Sequence, residues 1–343
     1  MNILLAGGAG YIGSHTCVEL LENGQNVIIA DNLSNSNVIV LQRIRQITGK
    51  NVPFYNVDIR DQTEFNKVFL ENDIDCIIHF AGLKAVGESV EQPINYYDNN
   101  LNTTLSICNA MERHNVRHLI FSSSATVYSA QNNMPLDESS KTGNCTNPYG
   151  WTKLFCEQIL CDFARKHNDF SVILLRYFNP VGAHESGLIG EDPSGIPNNL
   201  LPFITKTAIG SLKELAVFGN DYCTHDGTGI RDYIHVVDLA KGHVAAIDFG
   251  KTHNGVEIFN LSTGKGTSVL DMVNAFQRVN CIHVPYRIDQ RRAGDIAQCY
   301  ANPEKAEKIL KWKAKYNIED IVKHAWNWQK NNPNGYKIKI DEL

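Results

Sequence analysis

Asn2-Ile3-Leu4-Leu5-Ala6-Gly7-Gly8-Ala9-Gly10-Tyr11-Ile12-Gly13 runs from a short aliphatic stretch directly into a glycine turn and on into an amphipathic segment. That order predicts a strand over 2–6, a tight turn and a helix opening at Tyr11. Gly7, Gly10 and Gly13 let the backbone turn sharply and approach a ligand closely, while the free N–H groups of a helix start suit a pyrophosphate. Glycines so spaced recur in many loops, so the place of these directly behind a strand carries the weight. Asp31 closes the next predicted strand, 18 residues beyond Gly13. A carboxylate there accepts from both hydroxyls of an adenosine ribose and repels a 2′-phosphate. The following Asn32, Leu33, Ser34, Asn35 and Ser36 include no Arg or Lys, so NAD is expected over NADP. Asp58 and Ile59, after the third strand, are placed by the same logic near the adenine.

Outward from that turn, short aliphatic runs alternate with longer amphipathic ones. Strands are predicted near Asn2 to Ala6, Val27 to Ala30, Val52 to Val57, Cys76 to Phe80, His118 to Ser122 and Ser171 to Arg176. Helices are predicted near Tyr11 to Asn23, Glu64 to Asn72, Asn95 to His114 and Tyr149 to Lys166. The expected class is α/β, a doubly wound parallel sheet (Rossmann) with a smaller, interleaved C-terminal α/β substrate lobe. Beyond Phe178 the texture turns rich in Pro and Gly, which marks a lobe over 178–343 after a dinucleotide domain over 1–177. The apolar Asp232 to Phe249 is expected to rejoin the first domain, so that it resumes over about 232–250.

Composition narrows the function classes. At 343 residues and 43% hydrophobic, the chain can build a large core, and disorder is excluded. The 32 Lys and Arg against 37 Asp and Glu leave a net charge of -5, without the basic excess of a nucleic-acid binder. Nine cysteines form no CxxC pair, which reads as reduced thiols in a cytoplasmic protein. No apolar run nears the roughly 18 residues of a membrane span. The closing Asp341-Glu342-Leu343 lacks the Lys of an ER-retention tail, and the residues after Tyr336 read as frayed.

Tyr149 and Lys153 lie four residues apart and project from one helix face. An ammonium beside a phenol favours the phenolate, as does the positive charge of a nicotinamide, and turns a poor base into a usable one. Ser122-Ser123-Ser124 ends a strand at the carboxyl edge where doubly wound sheets bind ligands, and one of those hydroxyls can relay a proton between Tyr149 and a substrate alcohol. Tyr and Lys at this spacing mostly form a surface pair. Only together with the glycine turn, Asp31 and the serine strand does the pair point to chemistry.

With these elements in this order, the chain resembles the extended short-chain dehydrogenase/reductase superfamily and, within it, the UDP-glucose 4-epimerase family, nearly end to end. The stretches that carry the resemblance are Gly7 to His15, His79 to Ser89, Ser122 to Tyr128, Arg176 to His184, Gly195 to Leu200 and Gly229 to His235. The resemblance implies a catalytic set of Ser124, Tyr149 and Lys153. It implies NAD contacts at Tyr11, Ile12, Asp31 to Ser36, Asp58, Ile59, Phe80, Ala81, Gly82, Leu83, Lys84, Asn99 and Phe178. It implies UDP-sugar contacts at Asn179, Asn199, Leu200, Ala216, Val217, Phe218, Arg231, Arg292, Ala293, Gly294 and Asp295. Related dehydratases and decarboxylases carry an acid just before Val127-Tyr128, where this chain has Ala125 and Thr126. Oxidation at C4 of the sugar then has one easy exit, return of the hydride to the opposite face of a 4-ketose. NAD would stay bound and not be consumed.

Cys299 falls where the family has a gate on the sugar pocket. A small residue there implies room for an N-acetyl group, hence UDP-GlcNAc and UDP-GalNAc as further substrates; the alternative is a buried Cys with no part in specificity. Ala6, Ser129 and the Trp151-Thr152 pair depart from the superfamily pattern in turn geometry and helix interior, without touching the catalytic set. The twelve histidines show no metal-binding spacing and read as capped or exposed imidazoles, so no metal is expected. Trp312, Trp326 and Trp328 read as lobe packing. The resemblance also implies a homodimer joined through a helix near Asn100 to His114 and another starting at Tyr149. Two other functions fit less of the sequence: an epimerase of a uronate or pentose nucleotide, and a non-enzymatic NAD sensor, a class that typically lacks the Tyr and Lys pair.

Overall fold

The structure, a computed structural model, describes residues 1–193, 197, 199–292 and 294–336. The expectations for Gly195, Ile196, Asn198, Ala293 and the tail after Tyr336 lie outside the described residues. In chain order the first half contains β1 (Asn2–Ala6), α1 (Tyr11–Glu22), β2 (Asn26–Asp31), α2 (Ile39–Thr48), β3 (Phe54–Asn56), α3 (Gln62–Glu71), β4 (Cys76–His79), α4 (Val86–Glu91), α5 (Pro93–His114), β5 (His118–Ser124), α6 (Pro148–Lys166) and β6 (Ser171–Tyr177). Then follow β7 (Asn179–Val181), α7 (Leu200–Ala208), β8 (Leu215–Phe218), β9 (Ile230–Arg231), β10 (Tyr233–His235), α8 (Val236–Gly250), β11 (Gly255–Leu261), β12 (Thr267–Ser268), α9 (Val269–Asn280), β13 (Tyr286–Asp289), β14 (Gln298–Cys299), α10 (Glu304–Ile309) and α11 (Ile318–Asn331).

Seven parallel strands form the main sheet in the order β11-β6-β5-β4-β1-β2-β3. Helices cover both of its faces, which is why its central strands are apolar without alternation. Ile3, Leu5, Ile29 and Ile78 face the layer of α1 and α8, against Val18, Leu21 and Leu239. Leu4, Ile28, Ile77 and Leu119 face the layer of α3, α5 and α6, against Phe65, Met111 and Leu160. Each such side chain, once buried, contributes roughly 1.5–3 kcal/mol. The strand order reverses between β1 and β4, and the crevice this opens at their carboxyl ends holds the glycine turn on one side and the loop after β4 on the other.

Of the elements that differ from the sequence expectation, α4 is a short helix not foreseen, and three others have a plain physical reason. Ile39-Val40-Leu41 carries β-branched residues yet opens α2, because the Asn37 side chain caps the Ile39 N–H at 3.0 Å and Gly49 ends the helix in the left-handed region. The third strand is shorter than Val52 to Val57: Pro53 has no N–H to donate, although its carbonyl still accepts from Ile29 at 2.9 Å. The sheet gains a strand that the six-strand reading lacks, β11, paired in parallel with β6 through Val256 opposite Val172.

Most of the remaining elements gather around a second core of Leu201, Ile204, Leu215, Val217, Met272, Phe276 and Val322, while α10 packs Ala306 into the first core beside β11. Buried Asp232 fastens this region internally by accepting from Thr263 N–H and O–H at 2.9 and 2.7 Å and from Gly264 at 3.0 Å. Trp312 and Trp328 are buried in packing, with their indole N–H groups donated to the Asp238 and Glu191 carbonyls.

Candidate active site

The glycine turn is built to minimum clearance. Gly7 has φ +82°, and a Cβ on it would stand 2.6 Å from Ala81 N and 2.8 Å from Ala81 Cα. A Cβ on Gly13 would meet the Gly7 carbonyl at 2.7 Å, so the start of α1 lies flat on the turn. Gly10 precedes that helix with no side-chain cap, which leaves first-turn N–H groups for an anion. Buried Asp31 accepts from Ala9 N–H at 3.0 Å, Leu33 N–H at 2.9 Å and the Ser36 hydroxyl at 2.9 Å. Leu33, at φ +56°, bends Asn32 to Ser36 around that carboxylate. Asp58 is held by Arg60 at 2.7 Å, and that hydrogen bond lowers its pKa. Asn32 reaches Asp58 at 3.5 Å. A cradle with no room for a Cβ, an open helix start and an acid set among neutral donors fit a dinucleotide.

Opposite the turn, Phe80 and Ala81 donate to the Ala6 carbonyl, each at 2.8 Å. Gly82 and Leu83 are clasped by Asn100 on α5, whose Oδ1 accepts from Leu83 N–H at 2.8 Å while its Nδ2 donates to the Leu83 carbonyl at 3.0 Å and to Thr152 Oγ1 at 2.9 Å. Thr152 lies between Tyr149 and Lys153, so Asn100 joins the loop to the helix that carries both. Sequence reasoning missed Asn100. Its signal was a polar residue in phase with buried Tyr96, Thr104 and Ile107. Neighbouring Asn99 supplies a carbonyl that caps Thr103 at 2.7 Å.

Ser124 ends β5 and its hydroxyl oxygen accepts from Thr126 N–H and O–H at 3.2 and 3.0 Å. Tyr149 enters on the first turn of α6, which Pro148 opens and the Asn147 side chain caps at Gly150 N–H, 2.9 Å away. Lys153 Nζ donates to the Ser122 carbonyl at 2.7 Å and stands 5.9 Å from the Tyr149 ring centre. The expected lowering of the phenol is not what the protein groups produce. Burial pushes Tyr149 up to about 12, against the opposing influence of the neighbouring Ser124 hydroxyl. Lys153 is lowered by burial to about 8. Both groups share one desolvated pocket, and the ammonium is spent on a carbonyl instead of facing the phenol. Behind them Glu157 accepts from the Ser123 hydroxyl at 2.5 Å and from Arg176 at 2.9 and 2.7 Å, a buried pair that pins β5 and β6 to α6.

The residues expected to meet a UDP-sugar fall into two groups. Cys299, half-buried, packs with Val127, Tyr128, Ala301 and with Phe178, which was expected on NAD, adjoining Ala125 and hence Ser124. Asn179 opens β7 and donates its N–H to the Asp232 carbonyl at 3.0 Å. Arg231, beside Cys299 in the β9–β14 register, donates to the Ile230 and Ile296 carbonyls and lies 3.8 Å from Asp295. Arg292 donates to Asp295 at 2.9 Å and covers the Phe218 ring at 4.9 Å. Ala216, Val217 and Phe218 belong to β8, while Asn199 and Leu200 stand at the start of α7. Tyr233, which sequence reasoning missed, is buried in the field of Arg231, Arg292 and Asp295.

The reading of the histidines as capped or exposed needs correction. His15, His79, His235 and His243 are buried: His15 and His79 pair one ring nitrogen each, with the Tyr11 carbonyl and Thr104, while His235 pairs both, with His324 and the Val237 N–H at the start of α8, and His243 both, with the Leu239 carbonyl and the Tyr177 hydroxyl. Burial lowers His15 to about 3 and His243 to about 4, so both are neutral packing groups at pH 7. Among the described residues one cluster has metal-ligand geometry, His225, Asp226 and Asp271. Its acids are committed: Asp271 caps Ser268 N–H at 3.1 Å, and Asp226 accepts from Thr228 N–H at 2.9 Å.

Comparison with known proteins points one way. The family model described as GDP-mannose 4,6 dehydratase matches residues 4–325. The chain is 56% identical to the UDP-glucose 4-epimerase of Bacillus subtilis (strain 168), over 98% of this chain and 99% of that protein. It superposes with a TM-score of 0.95, at 56% identity, on the UDP-glucose 4-epimerase from Bifidobacterium longum in complex with NAD+ and UDP, over 98% of this chain and 100% of that one. The same score, at 47% identity, relates it to the Stenotrophomonas maltophila UDP-glucose-4-epimerase with bound NAD and formylated UDP-arabinopyranose, over 97% and 99% of the chains.

Proposed function

The chain belongs to the UDP-glucose 4-epimerase family, and from that premise we propose that it interconverts UDP-glucose and UDP-galactose with NAD as its cofactor. The observation that carries the reading is the meeting of Ser124, Tyr149 and Lys153 at the carboxyl end of β5, on a sheet whose first turn has no room for a Cβ at Gly7 or Gly13. NAD, when bound, would supply positive charge and reversible hydride chemistry for oxidation of the sugar at C4 and its reduction from the opposite face. Gly7, Gly10, Gly13 and the start of α1 would hold its pyrophosphate, and Asp31 would hold its adenosine ribose. Tyr149 takes the proton of the 4-hydroxyl and gives it back, Ser124 steadies the oxygen between them, and Lys153 supplies positive charge. Arg231 and Arg292 hold the diphosphate end while the ketose turns, since guanidinium groups bind phosphate through paired N–H donors. Ala125 and Thr126 provide no acid for elimination, although the matching family model is described by a dehydratase.

Cys299 leaves the pocket wall thin beside Phe178, which supports acceptance of UDP-GlcNAc and UDP-GalNAc as well. Incubation of the purified protein with UDP-galactose, without added cofactor, is expected to yield UDP-glucose, and UDP-GlcNAc is expected to yield UDP-GalNAc, as resolved by chromatography. Cys299→Tyr is expected to abolish the second conversion and spare the first. Bound NAD with no turnover of UDP-galactose would overturn the epimerase reading; inert UDP-GlcNAc would overturn the Cys299 argument alone.

A homodimer through α5 and α6 is supported by apolar side chains left uncovered there: Ile94 at 77% exposure, Leu105 at 43% and Phe155 at 42%. Phe155 stacks with Trp151 at 5.6 Å and leans on Tyr97 at 6.1 Å, a flat aromatic face on a helix pair. Light scattering is expected to give about twice the 38.4 kDa of the chain, and a monomer at micromolar concentration would sink this assembly. All nine cysteines are free, and no helix among the described residues is long and apolar enough to cross a membrane. Unpaired thiols support action in the reducing cytoplasm.

A further inference from the structure

Glu191 sits where the cofactor turn meets the substrate lobe, its side chain only 9% exposed. Its Oε1 accepts from the Asn199 amide at 2.7 Å and lies 3.4 Å from the Lys84 ammonium. Lys84 belongs to the loop after β4, and its ammonium stands 5.9 Å from the ring centre of Tyr11, the first residue of α1. Asn199 immediately precedes α7, yet its side chain does not cap that helix. Residues at such a position usually turn their side chain onto the helix N–H groups. Here the amide is drawn to Glu191 instead.

The backbone beneath Glu191 is fixed independently of both partners. Its carbonyl accepts from the Trp328 indole at 3.3 Å, and adjacent Gly190 exchanges two hydrogen bonds with the Tyr336 hydroxyl, at 3.1 and 3.2 Å. A Cβ on Gly190 would fall 2.4 Å from the Trp328 ring, so the segment is packed flat against α11. A carboxylate held this firmly orients the mobile groups that bind it, and a charge-assisted hydrogen bond resists rotation of the amide more than a neutral one does.

We infer that Glu191 is a positioning residue for the substrate: anchored beside Lys84 on the cofactor side, it presets the Asn199 amide for the UDP-sugar. The inference rests on the epimerase reading, which puts Asn199 on the nucleotide sugar. Donation through Nδ2 to Glu191 leaves the Asn199 carbonyl oxygen and its second N–H directed elsewhere, so a ligand that uses them finds them already ordered and loses less side-chain entropy on binding. Nothing in the proton chemistry of Tyr149 depends on this contact. The effect therefore belongs in binding and not in turnover.

Calorimetric titration of UDP into the NAD-loaded protein tests it. Glu191→Ala is expected to weaken UDP about tenfold, and in an Asn199→Ala background the same change is expected to add less than about twofold, since the carboxylate acts through the amide. In UDP-galactose kinetics KM is expected to rise with kcat held within about twofold. Glu191→Gln, which still offers Asn199 an acceptor, is expected to restore UDP affinity to within about threefold of the wild type. Glu191→Asp, with its carboxylate drawn back by one methylene, is expected to weaken UDP about threefold and carries the test if the alanine variant does not fold. Fully multiplicative effects of Glu191→Ala and Asn199→Ala, or unchanged UDP affinity in both Glu191→Ala and Glu191→Asp, would overturn the positioning role alone. A wild-type holoenzyme that fails to bind UDP would overturn the epimerase reading and this inference with it.

Discussion

Tyr149→Phe is expected to lower kcat for UDP-galactose by about 10³-fold or more while bound NAD remains at wild-type level. The substitution removes one oxygen and keeps the ring, on the first turn of α6 and outside the glycine turn in sequence. What is lost is the group proposed to exchange a proton with the 4-hydroxyl. Ser124 cannot take its place, because an aliphatic hydroxyl is a far weaker acid than a phenol and its oxygen already accepts from Thr126 at 3.0 Å. Lys153 cannot either, since its ammonium is held on the Ser122 carbonyl at 2.7 Å. Ser124→Ala is therefore expected to cost less, about 10- to 100-fold, because Tyr149 keeps its oxygen and loses only its partner. With the phenol at about 12 from protein groups alone, the cofactor's charge has real work to do in bringing it into range. Steady-state rates with NAD content measured on the same preparation decide the matter. A Tyr149→Phe protein that keeps its NAD and runs within tenfold of wild type would place the base elsewhere.

Gly7→Ala is expected to yield protein that purifies without NAD, with affinity reduced by about 100-fold or more and stability lowered by about 3 kcal/mol. Two costs coincide at this position. The backbone is at φ +82°, which L side chains rarely adopt, and the new Cβ would fall 2.6 Å from Ala81 N. Relief requires either the turn or the loop after β4 to move, and the proposed NAD contacts lie on both. Gly24→Ala separates the two costs: Gly24 has φ +75° with nothing within 4 Å, so it carries the backbone strain without the collision. It is expected to lose about 1 kcal/mol and to retain NAD. Absorbance of released cofactor and urea denaturation read both variants. Stoichiometric NAD in Gly7→Ala would mean that the close approach to Ala81 does not form the cradle.

What could be read before folding was whatever depends on near neighbours. An aliphatic run followed by glycines at fixed spacing, an acid at a strand end, hydroxyls at another and a Tyr four residues before a Lys are all local patterns, and turn chemistry and helical period are local physics. They located the glycine turn, Asp31, the serine strand and the Tyr149 helix at the positions the structure gives them. Other features had no local signature. Ile39-Val40-Leu41 looks like a strand by composition and becomes helix because of one capping Asn and the packing of Val40 and Ile44 on the sheet. Asn100 gains its importance from Leu83 and Thr152, and Glu157 from Ser123 and Arg176, partners that lie 17 to 52 positions away along the chain. The same holds for Glu191 between Lys84 and Asn199. The ionisation of the phenol and ammonium was decided in the fold as well: spacing alone predicts that Lys153 lowers Tyr149, whereas burial in a shared pocket raises one and lowers the other. The sequence by itself thus determined the class of fold and the chemical parts of the site, because periodicity and turn geometry act over a few residues. Only the tertiary structure decided which polar groups clasp those parts and what their proton affinities become, because desolvation and long-range hydrogen bonding exist only once distant segments have met.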